Sequence, residues 1–311
     1  MRKHQLLAIP FAAIFLSSCA IISPRTASRE PEVRDVPFQA RQNIDQAPRK
    51  RVMVLPFLDD SSRSKSASLV AREAFVRALR KTDDFLVVAN TDFPKDVSTY
   101  LKNGEYDLEA MAKIGGGMGL AAIIEGKIIE VKAKRIGDEV GLVRQIRARV
   151  EGTVQVRMVN TKNGNIGLNE TRTADVEETT TRVAERAFSD RFLEEDPKLI
   201  EAVISKAFQS TIPRIAQSVE KLSWEGRVAL IKGDRVYLNA GRLSGLQIGD
   251  ILKITEEGED VYDPENGSLI GKVPGRLKGT VEIVSYFGRD GAISIVHSGS
   301  GFRENDRVEL Y

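Results

Sequence analysis

Between residues 142 and 159 the chain alternates with a period of two. Leu142, Ile146, Ala148, Val150, Gly152, Val154, Val156 and Met158 fall on one side, and Gln145, Arg147, Arg149, Glu151, Thr153, Gln155 and Arg157 on the other. A period of two held this long fits a strand, whose successive side chains leave on opposite faces; a helix would scatter them around its axis. One face must meet a core and the other water, so the strand belongs to an antiparallel sheet covered on one side. Asn163-Gly164 then marks a tight turn, because both residues tolerate the left-handed backbone of a short hairpin. Residues 166–176 are expected to return alongside.

The flanking segments supply further strands and helices. Residues 52–57 (VMVLPF) read as a short buried strand and residues 85–89 (FLVVA) as a second. Residues 66–80 read as a helix with Val70, Ala74, Val76 and Leu79 near one side and Ser66 as N-cap. Asp107 is placed to cap a helix that ends at Gly115, read as the glycine just past the last turn, and residues 120–131 form a third strand. Asp196-Pro197 opens a helix running to about Val219, with Leu199, Val203, Ile204, Phe208, Ile212 and Ile215 as its apolar side. Pro213 should bend it, since proline removes a helical hydrogen bond.

From residue 225 onward the grammar is short strands and glycine turns, and the two ends echo each other. Gly226-Arg-Val-Ala-Leu-Ile is matched by Gly279-Thr-Val-Glu-Ile-Val, and Val236-Tyr-Leu by Ile293-Ser-Ile. Gly245-Leu246…Gly249-Asp250 is matched by Gly301-Phe302…Asn305-Asp306. Offsets of 53 to 56 residues imply two copies of one β unit closing a small barrel. Asp263-Pro-Glu-Asn-Gly267 between them is a turn by composition. The expected class is α+β. Residues 50–222 would form a three-layer-like α/β domain, a mixed sheet with flanking helices, and residues 223–311 a small β-barrel-like domain.

The first nineteen residues, MRKHQLLAIPFAAIFLSSC, read as an address. Arg2 and Lys3 make a positive start, residues 6–16 an apolar run too short to span a bilayer, and Ser17-Ser18 a small-residue approach to Cys19. Leu16-Ser17-Ser18-Cys19 resembles a bacterial lipobox. That resemblance implies a signal peptide of residues 1–18, cleavage before Cys19 and acylation of its thiol. Ala20-Ile21 stands after the cysteine where retention at the inner membrane would favour Asp, which implies the outer membrane. Residues 19–49 follow with Pro24, Pro31, Pro37 and Pro48 among charges, and read as the acylated cysteine and a flexible tether. Such a tether could reach toward peptidoglycan or a partner.

Composition narrows function further. Of 46 Lys plus Arg and 44 Asp plus Glu, Arg2 and Lys3 would leave with the signal, so the remaining chain is formally neutral. That removes the electrostatic basis for nucleic-acid binding, and a 6% aromatic content offers little stacking surface. One cysteine and two histidines, His4 and His297, exclude an intramolecular disulfide framework and leave almost nothing for Ser-His-Asp, Cys-His or His-metal chemistry. No catalytic residue, cofactor or metal is expected.

The segment 51–220 resembles the domain shared by the curli-secretion lipoprotein CsgG, the periplasmic flagellar protein FlgT and, more loosely, TolB and LpoB. The carrying stretches are RVMVLPFLDDSS (51–62), Ile114-Gly-Gly-Gly before AAIIEGKIIEV (121–131), and VQVRMVNTKNGNI (154–166). The segment 226–311 resembles the C-terminal domain of FlgT-type proteins through VYLNAGRLSGLQIGDILKI (236–254) and DPENGSLIG (263–271). These motifs are turns and core residues, so the resemblance bears on fold and compartment, and on function by analogy. It departs from the curli pore at residues 166–183, IGLNETRTADVEETTTRV, and at the charged stretch 132–139. Both faces of the former carry charge, at a cost of about 2–4 kcal/mol each near a bilayer midplane.

Other motifs have modest readings. Gly115-Gly116-Gly117-Met118-Gly119 lacks the Gly-Lys-Ser/Thr of a phosphate loop and follows a helix, so it reads as helix termination and a hinge. Asp59-Asp60 reads as a helix-capping or surface pair, Glu256-Glu257-Gly258-Glu259-Asp260 as a solvated loop, and His297 as a surface or packed histidine. Trp224, at the junction of the two domains, reads as packing between them, with the anchoring of a partner as its alternative. The function expected is that of a non-enzymatic scaffold or assembly subunit of an envelope machine, of the flagellar-basal-body or secretion type. It would be held to outer-membrane lipid by Cys19, homo-oligomeric and in contact with other envelope proteins. The alternatives are a CsgG-like export channel and an LpoB-like activator of a peptidoglycan synthase.

Overall fold

A computed structural model describes residues 48–61, 65–137, 145–181, 196–267 and 269–311. The expected signal peptide, Leu16, Ser17, Ser18, Cys19 and the tether as far as residue 47 lie outside the described residues.

A mixed sheet organises the first part. Strand β1 (Lys50–Val54) runs parallel to β3 (Phe85–Val88) on one side and to β6 (Ala122–Gly137) on the other. Strands β6, β7 (Gln145–Asn160) and β8 (Ile166–Thr181) continue antiparallel, giving the order β3-β1-β6-β7-β8, with the short β2 (Leu58–Asp59) beside β6; β4 (Leu101–Lys102) and β5 (Glu105–Tyr106) pair as a separate small hairpin. Val52 and Val54 enter one core with Ala122 and Ile124, while Met53 and Leu55 enter another with Ile123 and Val159. Burial on both faces explains why residues 52–57 form an apolar run and do not alternate.

The alternation of residues 145–160 becomes β7. Val150, Val154, Val156 and Met158 are fully buried, and Arg149, Glu151, Thr153, Gln155 and Arg157 are half-buried on the opposite face. Gly164 adopts φ +71° in the turn, and β8 pairs with β7 along its whole length.

Among the described residues four α-helices cover the sheet: α1 (Lys65–Arg80), α2 (Leu108–Gly117), α3 (Pro197–Gln209) and α4 (Ile212–Glu220). All three helices of the sequence reading differ in detail. Helix α1 begins at Lys65, so Ser66 lies inside it and is not its N-cap. Its buried residues include Ala67, Ala71, Phe75 and Leu79, and Val76 as expected, whereas Val70 is 37% exposed and Ala74 half-exposed. Phe75 sets this rotation: its ring packs between Phe57 and Phe208, centroids 5.5 and 6.2 Å away. Helix α2 is capped by Asp107, whose Oδ1 accepts from the Ala110 amide at 3.1 Å. It runs two residues past Gly115, to Gly117, and the left-handed residue beyond it is Gly119, φ +72°. Gly115 serves close packing instead, since a Cβ there would stand 3.1 Å from Ile123 and Thr161. The helix expected from Asp196 to Val219 is two helices. Asp196 caps α3 through the Lys198 and Leu199 amides, Ser210 and Thr211 break the ladder, and Pro213 opens α4.

Residues 226–310 contain a closed six-stranded barrel. Its strands are β9 (Gly226–Lys232), β10 (Arg235–Leu238), β11 (Ile251–Thr255), β14 (Leu277–Phe287), β15 (Gly291–Gly299) and β16 (Arg307–Leu310). The hairpin of β12 (Asp260–Tyr262) and β13 (Leu269–Lys272) stands between the two halves, and Asp263 and Gly267 (φ +70°) shape its turn. The order around the barrel is β10-β15-β14-β11-β16-β9. Exchanging β9, β10 and β11 for β14, β15 and β16 leaves every adjacency in place, as two copies of one unit require. The turns match as well: Gly245 and Gly249 have φ +86° and +93°, Gly301 and Asn305 +75° and +69°. Asp250 Oδ2 accepts from the Gln247 amide at 2.7 Å, and Asp306 Oδ2 from the Arg303 amide at 2.6 Å.

Candidate functional site: a cleft over paired arginines

The barrel places two arginines against each other. Arg227 on β9 and Arg307 on β16 are cross-strand partners, and both are nearly sealed from solvent, 4% and 3% exposed. Like charges directly opposite repel, so this pair needs carboxylates around it. Glu257 reaches between them: one oxygen takes Arg227 Nη1, and the other lies 3.4 Å from Arg307 Nη2 and also takes Lys272 Nζ. Burial alone would raise the Glu257 carboxyl pKa, but the bonds from Lys272 and Arg227 hold it below the usual range. Glu225 Oε2 stands 3.3 Å from Arg307 Nε, near enough to pair but without hydrogen-bond alignment.

Arg227 is well used. Its Nη2 donates to the Gly116 carbonyl at 2.6 Å, at the negative end of α2, and its Nη1 donates to the Asn305 carbonyl at 3.2 Å. Arg51 Nη1 and Asn239 Nδ2 both donate to the Met118 carbonyl, at 3.0 and 3.1 Å. The orphan carbonyls of α2 are thus satisfied from the barrel and from β1. This is what the glycine run does: Gly116 lets the helix end approach, since a Cβ there would meet the Thr161 carbonyl at 3.0 Å.

Above the arginines opens a cleft of about 250 Å³. Its walls are the end of α2 (Lys113, Gly116, Gly117), the β7–β8 turn (residues 161–164) and the barrel rim with Glu225, Glu257, Asp260, Lys272 and Asn305. Five cationic side chains, Lys113, Lys162, Arg227, Lys272 and Arg307, face three carboxylates there.

The residues singled out from sequence fall mostly elsewhere. Trp224 is 5% exposed and packs in the barrel core beside Gly226, so its ring is not on a surface where it could anchor a partner. Asp59 accepts from the Ser61 amide at 2.8 Å, and Asp60 pairs with Lys127 at 2.7 Å. His297 is half-buried, with Nδ1 3.1 Å from Thr280 Oγ1. The acidic run is corrected, because Glu257 bridges the arginine pair and Glu256 binds Arg276 at 3.1 Å. The sequence signal for the arginines was present but small. Arg227 stands where the other repeat has Thr280, and Arg307 where it has Ile251. Among the described residues no group of three or more His, Cys, Asp or Glu side chains is gathered as metal ligands.

Two further surfaces bear on partners. Strand β8 is an end of the sheet, sixteen residues long, paired only with β7 among the described strands. Its core face carries Glu170 and Arg172, paired with each other and with Arg214 of α4 beside Glu170. The other face of β6–β8 is laced by polar ladders, Thr153 with Thr173, Gln155 with Asn169, and Arg149 with Glu177. Neither face presents an unbroken apolar band, and no described helix is long and apolar enough to cross a membrane.

No family model matches the chain, and no curated protein matches it. Among solved structures it is similar to the hypothetical protein CT253 from Chlamydia trachomatis, at 12% identity and TM-score 0.34, over 55% of this chain and 98% of that one. It is similar to lipoprotein GNA1162 from Neisseria meningitidis at 13% identity and TM-score 0.28, over 54% of this chain and 99% of that one. A minor lipoprotein from Acinetobacter baumannii is similar at 12% identity and TM-score 0.26, over 56% and 95%. Likeness this remote carries nothing about what this chain does, and the CsgG/FlgT resemblance rests on the residues quoted for it.

Proposed function

We propose that the chain is an acylated lipoprotein of the outer membrane that works in the periplasm as a non-enzymatic scaffold, an assembly subunit of an envelope machine. The observation that carries the reading is Leu16-Ser17-Ser18-Cys19 at the end of an apolar run, with the only cysteine of the chain in the acylation position. Two or three acyl chains give the stable anchoring that one chain does not.

The scaffold part draws support from the end of the sheet. A sixteen-residue edge strand presents backbone donors and acceptors that a strand from another subunit can complete. The edge is also guarded, since Lys206 Nζ takes the Asp175 carbonyl at 2.8 Å, which favours a specific partner over indiscriminate pairing. Polar ladders on the open face suit a contact that forms in water.

The test is to extract the native protein in mild detergent, measure its mass and image the particles. A closed oligomer and incorporation of labelled palmitate, lost in Cys19→Ala, are expected. A strict monomer with no envelope partner on crosslinking would sink the scaffold reading, and absence of label would sink the anchor.

A further inference from the structure

The arginine pair is not part of what the barrel fold needs. The equivalent strand pair on the other side of the barrel, β14 with β11, carries Thr280 and Ile251 at the corresponding positions, and the barrel closes there as well. Where the pair occurs, its neutralisation is incomplete. Arg307 is 3% exposed, yet its contacts to Glu225, Glu257 and Glu309 are long, at 3.3, 3.4 and 3.9 Å. Among the described residues the Nε atoms of Arg227 and Arg307, sealed from solvent, have no hydrogen-bond partner. A buried guanidinium normally has close acceptors, because leaving its donors unmade costs about 1–3 kcal/mol or more. At the rim Lys272 pairs with Glu257 and Lys162 with Glu225 at 2.9 Å, while Lys113 touches no carboxylate among the described residues and rests near the Tyr262 ring at 5.8 Å.

We propose that this cleft binds an oxyanion of the phosphate class, held between Arg307, Lys272 and Lys162. Charge sets the class, since five cations line the cleft against three carboxylates, and one positive charge remains in excess when Glu309, beside Lys162 and Arg307, is counted with them. Arginine's planar fork matches the oxygens of phosphate, and Arg307 Nη1, 3.9 Å from the Glu309 carboxylate, is the donor a bound anion would meet. The cleft, about 250 Å³, has room for phosphate with several waters, each water occupying about 30 Å³. Glu257 competes with the ligand for both arginines, which makes the site weak at rest and gives the test a sign.

Calorimetric titration of the full-length protein in detergent with inorganic phosphate, at ionic strength held constant with sodium chloride, decides the matter. Saturable one-to-one binding is expected. Lys162→Ala, at an exposed position, should weaken it about threefold to fivefold, and Glu257→Gln should strengthen it by a similar factor. Lys198→Ala, on α3 away from the cleft lining, should change nothing. The site is overturned by the absence of saturable heat, by equal losses in Lys162→Ala and Lys198→Ala, or by a folded Glu257→Gln without a gain. If Glu257→Gln fails to fold, the comparison of Lys162→Ala with Lys198→Ala decides alone.

Discussion

At Gly126 an added Cβ would lie 2.6 Å from the Phe57 ring and 2.8 Å from Phe208, so the strand can pass beneath the aromatic cluster only without a side chain. Gly126→Ala should therefore cost about 1–3 kcal/mol through overpacking. At Gly117, in the last turn of α2, nothing lies within 4 Å of the added carbon. Gly117→Ala should stabilise by about 0.5–1 kcal/mol, by restricting the unfolded chain. Urea midpoints that moved in the same direction for both would contradict this account. Tyr106 belongs to the same scale. Burial, then the neighbouring Glu125 carboxylate, push its phenol up to about 12 from 10.0. A raised folded pKa contributes stability below the unfolded value and loses it as pH climbs through the folded one. Tyr106 thus contributes up to about 2 kcal/mol below pH 10, lost between pH 10 and 12. The alkaline limb of stability measured by circular dichroism should be shallower in Tyr106→Phe, and an identical limb would refute the assignment.

Among the elements, the helices show how local signals and packing divide the work. Asp107 and Asp196 were legible as caps because a side-chain oxygen two or three residues ahead of free amides is a local arrangement. Asp196→Ala should cost about 1 kcal/mol, and Asp196→Asn much less, as read from thermal unfolding. Equal losses would show that the carboxylate acts through something other than the cap. Helix α1 was rotated in the sequence reading because Val70 and Ala74 look as apolar as Ala67 and Ala71. Only the meeting of Phe75 with Phe57 and Phe208 selects between the two stripes. The break at Ser210 and Thr211 is of the same kind. It keeps Phe208, Ile212 and Ile215 all in the core, where one straight helix would be a poorer fit to the sheet.

Across the molecule, the sheet and the barrel belong to one compact unit, and the Arg227–Gly116 and Arg51–Met118 bonds tie them together. The intact protein should unfold in a single calorimetric transition. Arg227→Ala takes one of the partners from Glu257 and the donor from the Gly116 carbonyl at the end of α2, and should cost about 3 kcal/mol and broaden or split that transition. A single transition at unchanged temperature would mean that the bond couples nothing. Acid should act through the same cluster. Glu257 is held below its ordinary 4.5, so its contribution is present above that pH and is lost as pH falls through the lowered value.

The sequence by itself determined what repeats or acts locally. These are the period of two behind β7, the Asn163-Gly164 turn, the doubly buried β1, the helix caps, and the pair of β units whose equal turns close a barrel. Each follows from backbone geometry over a few residues, or from the same few residues occurring twice. The signal-like start and Cys19 are equally local. Only the tertiary structure decided which stripe of α1 is buried, that Gly115 and Gly116 serve close approach, that Trp224 is enclosed, and that Arg227 and Arg307 meet beneath a cleft. Glu257 lies 30 residues from Arg227 and 50 from Arg307, and the arginines face each other because strands eighty positions apart in the chain close the barrel. No period or spacing encodes such a meeting. Its energy comes from burying opposite charges together, and that exists only once the chain has folded.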